Sequence, residues 1–304
     1  MRIVVVGAGG VGGYFGTRLA AAGYDVTFVA RGRHLTAIQE RGLLVRSPLG
    51  EFRSTANAVA KLADAGPADL VIVAVKLWDT EDVVAQLDPN AGARVMSLQN
   101  GVDKDDVLRA HVPAGAVLGG VSYISAAIAE PGVVTHNGTL QKLVFGEFDG
   151  KPSATTDQLL AACVKAGVDA SVSADIARVT WEKFVFLVGM SATTTATRQT
   201  IGVVRSNART RTLLRDVMAE VVAVGRASGI EFADDFVDER MAFVDTLPAD
   251  MAASMHHDLM RGSRLELPWL SGAVATLGER LGVPTPRNRT VADILAPFEL
   301  GPAV

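Results

Sequence analysis

A glycine-rich turn near the start of the chain constrains the fold more than any other feature. The stretch Gly7-Ala8-Gly9-Gly10-Val11-Gly12 matches the pattern G-x-G-x-x-G. A β-branched run, Arg2 to Val6, precedes it, and an apolar stretch with helical spacing follows as far as Gly23. With a second strand at Asp25 to Ala30, the unit occupies about 30 residues, the length of one right-handed βαβ crossover. The pattern predicts a Rossmann-type parallel sheet.

The same turn predicts a dinucleotide site. Gly7 allows the tight turn, Gly9 lets the backbone approach a pyrophosphate, and Gly12 allows the helix to pack closely on the strand. Gly10 and Val11 lie between them and are counted as part of the site. The helix N-terminus presents N–H groups and a positive dipole end to the phosphates. Because glycine-rich turns are common, this prediction depends on the position between a strand and a helix.

The end of the second strand indicates which dinucleotide is bound. A site for NAD usually has Asp or Glu there, which binds the ribose 2′-hydroxyl. Here the strand ends Ala30-Arg31-Gly32-Arg33, with guanidinium groups and no carboxylate. Because a planar guanidinium pairs well with phosphate, we predict NADPH, with Arg31 as the main ligand of the 2′-phosphate and Arg33 as a second. The alternative is that both arginines are solvated loop residues.

Two further buried-strand patterns continue the sheet, one at 68–76 and the other at 94–101. Ligands of open α/β sheets bind beyond the carboxyl ends of the strands, which is where Lys76 and Asn100 fall. Short β-type pieces at 133–137 and 140–148, separated by Gly138, would extend or flank this sheet.

The chain, at 304 residues, is long enough for two domains with separate cores. From about residue 175 the apolar spacing becomes helical throughout, with candidate helices at 177–196, 210–228, 232–244 and 271–282. We therefore predict an α/β protein: an N-terminal Rossmann-type parallel sheet domain, residues 1–174, followed by an all-helical C-terminal domain, residues 175–304.

Composition excludes several other classes of protein. A net charge of −4 argues against nucleic acid as the main partner. The chain lacks the roughly 20 consecutive apolar residues of a membrane span. Cys163 is the one cysteine, which suits a reducing cytoplasm, and its apolar neighbours favour a core position. His256 and His257 look like a metal pair, but neighbours on a helix point in different directions, so we predict a surface or capping role and no metal.

Beyond the glycine turn and Arg31, short motifs follow one another along nearly the whole chain. They are Val75-Lys76, Leu98-Gln99-Asn100-Gly101, Trp181-Glu182-Lys183, Ser254-Met255, Asp258 and Arg264-Leu265-Glu266. Their order and spacing resemble the ketopantoate reductase family, the 2-dehydropantoate 2-reductases. The resemblance implies NADPH-dependent reduction of 2-dehydropantoate to pantoate, a step of pantothenate biosynthesis.

The resemblance also implies a role for each matching residue. Lys183 is the catalytic acid, with Glu266 as a second catalytic group; Lys76 and Asn100 lie near the nicotinamide; and the substrate is bound by Asn100, Lys183, Ser254, Asp258 and Glu266. The chemistry agrees, because hydride addition to a ketone places negative charge on oxygen, and a positioned ammonium both stabilises that charge and gives up a proton. Glu266 can accept a hydrogen bond from a substrate hydroxyl, and Ser254 can donate one to a carboxylate.

Each of these assignments has a structural alternative. Lys183 could be a surface lysine whose stem packs along an apolar helix. Asn100 before Gly101 is a common turn pair. Asp258 and Glu266 could belong to solvated charge pairs.

Three positions depart from the family pattern. The best-known members have asparagines where this chain has Leu187, Ser191 and Ile201. Sites that hydrogen-bond a polar substrate discriminate strongly through such groups. The alternative function is therefore NADPH-dependent reduction of a different 2-oxo acid or related carbonyl compound, with Ser191 and Thr193 to Thr195 as replacement hydroxyls.

A third hypothesis, from another class, is a non-catalytic NADP-binding sensor, against which the retained Lys183 and Glu266 argue. The apolar helices of the second domain would also suit a homodimer. A buried helix face and an interface face look alike in sequence, so the oligomeric state stays open.

Overall fold

The structure is a computed structural model that describes residues 1–88 and 90–301. The strands are, in chain order, β1 (Arg2–Val6), β2 (Asp25–Val29), β3 (Leu43–Ser47), β4 (Gly50–Ser54), β5 (Asn57–Val59), β6 (Leu70–Val73), β7 (Arg94–Ser97), β8 (Val117–Glu130), β9 (Val133–Gly146) and β10 (Asp169–Val172). The helices are α1 (Gly10–Ala21), α2 (Gly32–Arg41), α3 (Thr80–Val84), α4 (Lys104–Arg109), α5 (Ala154–Lys165), α6 (Ile176–Thr197), α7 (Ile201–Ser206), α8 (Ala208–Ala227), α9 (Phe236–Thr246), α10 (Ser254–Met260), α11 (Ser271–Leu281) and α12 (Pro286–Leu295).

The described chain divides into two compact units, Met1–Val179 and a second that begins at Thr180. This division falls within the first turn of α6. The first unit contains all the strands given above, and the second contains helices. Among the described residues, no helix combines the length and the apolarity needed to cross a membrane.

The N-terminal half of the sheet is parallel. Its strands lie in the order β8-β7-β6-β1-β2-β5, and every neighbouring pair in that order is parallel. Alternate residues of β1 enter different cores: Ile3 and Val5 pack with α1 and α5, and Val4 and Val6 pack with α3 and α4. A strand buried on both faces reads as a continuous apolar run. The predicted Rossmann-type parallel sheet is confirmed.

The other half of the sheet is built on two long antiparallel strands, β8 and β9, of 14 residues each. The sequence predicted two short pieces here, but the structure has one strand, β9, with an irregularity. The pairing moves from Ile124 opposite Gln141 to Ala126 opposite His136, so β9 has extra residues at this point. Gly138, with φ of 75°, lies in that bulge, which explains why the sequence looked interrupted.

The second unit packs its helices around α8. Gly189 of α6 lies against Met218 and Leu214 of α8, where a Cβ on Gly189 would be 2.7 Å from Met218 Cγ. Asn207 caps α8 by accepting a hydrogen bond from the Arg209 N–H at 3.0 Å. No strand occurs at residues 180–301, so the all-helical prediction is confirmed for the described part of this unit. The observed helix ends differ from the predicted ones by up to four residues, while α7, α10 and α12 were missed because they are short or weakly periodic.

The thiol of Cys163 is buried in the core beneath the sheet, as its apolar neighbours predict. Its residue is 1% exposed, and burial raises the pKa of the thiol to about 12. Because the thiolate is the reactive form, we expect the native protein to react negligibly with an aromatic disulfide reagent at neutral pH. One thiol per chain should react after unfolding in guanidinium chloride. Rapid stoichiometric reaction of the native protein would contradict this placement.

Candidate active site

The glycine turn lies at the carboxyl end of β1, where the fold of the first unit leaves room for a phosphate group. Gly7 has φ of 98°, and a Cβ there would be 2.7 Å from the Val75 backbone nitrogen. A Cβ on Gly9 would meet nothing within 4 Å, so the space in front of that residue is open. Helix α1 begins at Gly10 with no side chain capping its first N–H groups. An open cradle and uncapped donors fit a pyrophosphate.

The other glycines of the turn are required by packing. A Cβ on Gly12 would overlap the Gly7 carbonyl and would lie 3.0 Å from Val5 Cγ1, so Gly12 allows the close approach of helix and strand. A Cβ on Gly10 would overlap the carbonyl of Ala126 on β8. The sequence placed Gly10 in the cofactor site without revealing this second constraint, because β8 is distant along the chain.

His34 holds the glycine turn from the side of α2, a role that the sequence did not reveal. The Gly132 N–H donates to His34 Nδ1 at 3.1 Å, and Nε2 lies 2.8 Å from the Ala8 carbonyl oxygen. Because Nδ1 accepts and the carbonyl can only accept, the proton must be on Nε2. The neutral ring therefore links the turn to the connection between β8 and β9.

Arg31 stands at the N-terminus of α2, directly after β2. It is the N-cap residue of that helix and makes no side-chain capping hydrogen bond. Its side chain is 62% exposed, and its Nη1 lies 3.2 Å from Oδ1 of Asp79. Arg33, one residue into α2, is also exposed. Exposed guanidinium groups beside a helix N-terminus suit an anionic ligand.

Lys76 and Asn100 follow β6 and β7 at the same edge of the sheet as the glycine turn. The loops that carry them are joined by the buried side chain of Gln99. Its Nε2 donates to the Val75 carbonyl at 3.1 Å and to Thr80 Oγ1 at 2.7 Å, while its Oε1 accepts from Ser97 Oγ at 2.9 Å. Gln99 is 7% exposed, so water has little access to these hydrogen bonds. The sequence analysis assigned a ligand role to Asn100 and did not predict this structural role of Gln99.

The Gln99 network gives a testable prediction. Gln99→Leu keeps the volume but leaves the buried partners of the amide unsatisfied, which costs about 1–3 kcal/mol of unfolding free energy. Because both loops then loosen, we expect the dissociation constant for NADPH to rise about tenfold. Chemical denaturation and calorimetric titration measure the two effects. Gln86→Leu, the same substitution at an exposed glutamine just after α3, is the control. Unchanged binding in Gln99→Leu would show that the network is only structural.

In the second unit, Lys183 lies on α6 and is half-buried, as is Leu187 one turn later. The other two positions where the family has asparagine are buried: Ser191 is 1% exposed, and Ile201 is fully buried. The Ser191 and Thr195 hydroxyls are buried without a hydrogen-bond partner, whereas Thr193 and Thr194 donate to backbone carbonyls of α6.

Helix α10, which carries Ser254 and Asp258 one turn apart, is tied to α6. His256 Nδ1 lies 2.9 Å from the Thr194 carbonyl oxygen and donates to it, and the Ala253 N–H contacts Thr194 Oγ1 at 3.4 Å. His256 is 9% exposed, so the predicted surface position is wrong for this residue. Its hydrogen bond is to one of the last four carbonyls of α6, which fits the alternative prediction of a capping role. The ring pins α10 because its hydrogen bond is to a distant helix, which the sequence does not show.

The turn at Ile201 supports the segment that leads to α10. The backbone N–H groups of Ile201 and Gly202 donate to the carbonyls of Met251 and Ala249, at 2.8 and 2.9 Å. A Cβ on Gly202 would lie 2.7 Å from Ala249 Cβ, so this residue allows the close approach. The hydrogen bonds that this turn makes to the segment before α10 are therefore backbone hydrogen bonds.

Glu266 lies immediately before the 3₁₀ turn Leu267–Trp269, as its N-cap residue, and is 6% exposed. The segment is fixed by the Leu265 N–H, which donates to the Glu299 carbonyl at 2.9 Å. A carboxylate with so little exposure is not part of the solvated charge pair considered above. Among residues 1–88 and 90–301, no group of three or more His, Cys, Asp or Glu side chains could hold a metal ion.

Comparison with known proteins decides the family. The model for "Ketopantoate reductase PanE/ApbA" matches residues 3–150, and that for "Ketopantoate reductase PanE/ApbA C terminal" matches residues 175–299. The chain belongs to the ketopantoate reductase family. It is thus an oxidoreductase, and the family uses a nicotinamide dinucleotide cofactor.

Individual members of the family align with the chain over almost its full length. The 2-dehydropantoate 2-reductase of Halobacterium salinarum is 35% identical and that of Archaeoglobus fulgidus is 32% identical; the alignments cover 97% and 99% of this chain and 98% of each relative. The crystal structure of a PanE/ApbA family ketopantoate reductase from Ralstonia eutropha JMP134 has a TM-score of 0.89 at 31% identity, covering 98% of each chain. D-mandelate dehydrogenase shares the fold, with a TM-score of 0.88 at 22% identity and 98% coverage of each chain.

Proposed function

We propose that the chain reduces 2-dehydropantoate to pantoate with NADPH, with residues 1–174 binding the cofactor and residues 175–304 supplying the substrate and catalytic groups. The observation that carries the proposal is that Lys183, Ser254 and Asp258 lie on α6 and α10, which the His256 hydrogen bond joins. Family relatives of this length, named 2-dehydropantoate 2-reductases, support the same substrate.

NADPH is proposed over NADH because of the groups around Arg31. Helix α2 begins next to this residue, and no side chain caps its N-terminal N–H groups. A guanidinium beside such a terminus offers both charge and hydrogen bonds to a 2′-phosphate. Gly7, Gly9, Gly12 and their neighbours would hold the pyrophosphate. Lys76 and Asn100, beyond β6 and β7, would lie towards the nicotinamide.

The proposed chemistry is reduction of a ketone. Bound NADPH supplies the hydride to the carbonyl carbon. Lys183 stabilises the negative charge that develops on the carbonyl oxygen and donates a proton to it, so the product is the alcohol and the lysine leaves the step neutral. Ser254 would donate a hydrogen bond to the substrate carboxylate, and the buried carboxylate of Glu266 would accept one from the substrate hydroxyl. Asp258 and Asn100 complete the proposed polar set.

The test is the oxidation of NADPH with a panel of 2-oxo acids at equal concentration. We expect 2-dehydropantoate to give the highest kcat/KM. The alternative substrate is a different 2-oxo acid or related carbonyl compound; it rests on Leu187, which is half-buried and apolar at a position where family members have an amide. A clear preference for such an acid would overturn the proposed substrate. If none of these acids is turned over while NADPH still binds, the hypothesis of a non-catalytic NADP-binding sensor is favoured.

The homodimer is a separate proposal, and light scattering on the native protein tests it by measuring the molar mass in solution.

A further inference from the structure

A carboxylate contacts the guanidinium that we propose as the 2′-phosphate ligand. Oδ1 of Asp79 lies 3.2 Å from Nη1 of Arg31, although the two residues are separated by 48 positions. Asp79 comes from the loop after β6 and ends the 3₁₀ turn Leu77–Asp79. Its side chain is 28% exposed, so solvent reaches the pair and a ligand can too.

The position of Asp79 is determined by its surroundings. Its N–H donates to the Lys76 carbonyl at 2.9 Å, and the next residue, Thr80, is buried. Thr80 Oγ1 donates to the Leu77 carbonyl at 2.7 Å and accepts from the Gln99 amide at 2.7 Å. Asp79 is the N-cap residue of α3 but makes no side-chain capping hydrogen bond. Its carboxylate is instead directed at Arg31.

This arrangement affects the two dinucleotides in opposite ways. A 2′-phosphate carries about two negative charges and must share Arg31 with a carboxylate that repels it. A ribose 2′-hydroxyl is a donor, and NAD sites usually bind it with a carboxylate that follows the second strand. Here the carboxylate of Asp79 comes from the loop after β6 and reaches Arg31, which follows β2. Asp79 thus weakens NADPH binding and strengthens NADH binding relative to a site with Arg31 alone.

We propose that Asp79 is a specificity-determining residue that narrows the preference for NADPH over NADH. The inference rests on the proposed NADPH site at Arg31 and extends it. In this site Arg31 supplies the attraction for phosphate, and Asp79 limits that attraction while it provides an acceptor for the 2′-hydroxyl. The chain is then able to use NADH at a rate that a site with an unopposed arginine would not allow.

The experiment compares the dissociation constants of NADPH and NADH, measured by calorimetry on the full chain, in the parent and in Asp79→Asn. Calorimetry needs no substrate, so an error in the proposed substrate leaves the result unaffected. We expect the ratio of the NADH constant to the NADPH constant to rise about tenfold in Asp79→Asn. The increase should shrink in concentrated salt, because exposed charges are screened. Asp82→Asn changes the same charge at an exposed position of α3 and should leave the ratio unchanged.

Arg31→Ala separates the inference from the NADPH proposal on which it rests. If Arg31→Ala lowers NADPH affinity while Asp79→Asn leaves the ratio unchanged or lowers it, the role of Asp79 is wrong and the phosphate site stands. If Arg31→Ala leaves NADPH affinity unchanged, the phosphate site is elsewhere and both proposals fall. Steady-state KM values for the two cofactors should follow the dissociation constants, with kcat changed little.

Discussion

Lys183→Ala should lower kcat by about 10²–10⁴-fold, the range that a general acid contributes. Lys183 belongs to the second unit, and the groups proposed to hold the cofactor belong to the first. We therefore expect the dissociation constant for NADPH to stay within about twofold of the parent, since the variant removes none of those groups. Single-turnover oxidation of NADPH with 2-dehydropantoate, beside calorimetric titration of NADPH, measures the two quantities.

A second variant at the same position separates the charge of Lys183 from its proton. Lys183→Arg keeps a cation but cannot give up a proton, because a guanidinium stays protonated. If the lysine is the acid, this variant should recover part of the substrate affinity and little of kcat. Lys151→Ala, at an exposed position, controls for the general loss of a lysine. Turnover by Lys183→Ala at the parent rate would assign the acid to another residue.

Local patterns explain which features of the fold could be predicted from the sequence. The strand before Gly7 and the helix after it are specified by residues close to one another, because a buried parallel strand and a tight turn each leave a local signature. Helix α6 is likewise visible as a long periodic segment. The observed ends of the helices differ from the predicted ends because helix termini depend on capping residues and on packing. The bulge in β9 was missed because β8 determines its pairing.

The supporting groups of the candidate site could not be predicted in the same way. His34, Gln99 and Asp79 act through partners that lie elsewhere in the chain, including Gly132, Val75 and Arg31. A sequence pattern gives a residue type and a position, and none of these contacts has a fixed spacing. The residues proposed to contact ligands could be identified from the resemblance to the family. The residues that hold the ligand-binding loops in place became visible only in the structure.

The departures from the family pattern also look different once burial is known. From the sequence, Ile201 was interpreted as the replacement of an asparagine that binds substrate in other family members. In the structure its side chain is fully buried, and the turn supports the α10 segment through the backbone. Of the three positions, only Leu187 is half-buried, and it lies on α6, the helix that carries Lys183. A change of substrate would therefore act through Leu187 more than through Ile201, which a Leu187→Asn variant tests in the same 2-oxo acid panel.

The largest effect on stability is expected at a buried ion pair beside the Asn100 loop. Lys104 is 2% exposed, and its Nζ contacts both carboxylate oxygens of Asp105 at 3.0 and 2.9 Å and the Ser97 carbonyl at 3.2 Å. Lys104→Met leaves the carboxylate buried without its cation, which costs about 3–5 kcal/mol of unfolding free energy. The change also removes a hydrogen bond to the last residue of β7, so NADPH affinity should fall with stability.

The pH dependence of this variant follows from the carboxyl group. Burial raises the pKa of Asp105 even with Lys104 present, and the loss of the cation raises it further. A carboxyl whose pKa is higher in the folded state keeps its proton there, so the fold is favoured at low pH and loses stability as the pH rises above the ordinary Asp value of 3.8. Denaturation of Lys104→Met should therefore show a loss of unfolding free energy that is small in acid and grows towards neutral pH.

Lys104→Met combined with Asp105→Leu removes both charges and should regain most of the stability. If the double variant were as unstable as the single one, packing of the lysine stem, and not the unpaired charge, would be the cause.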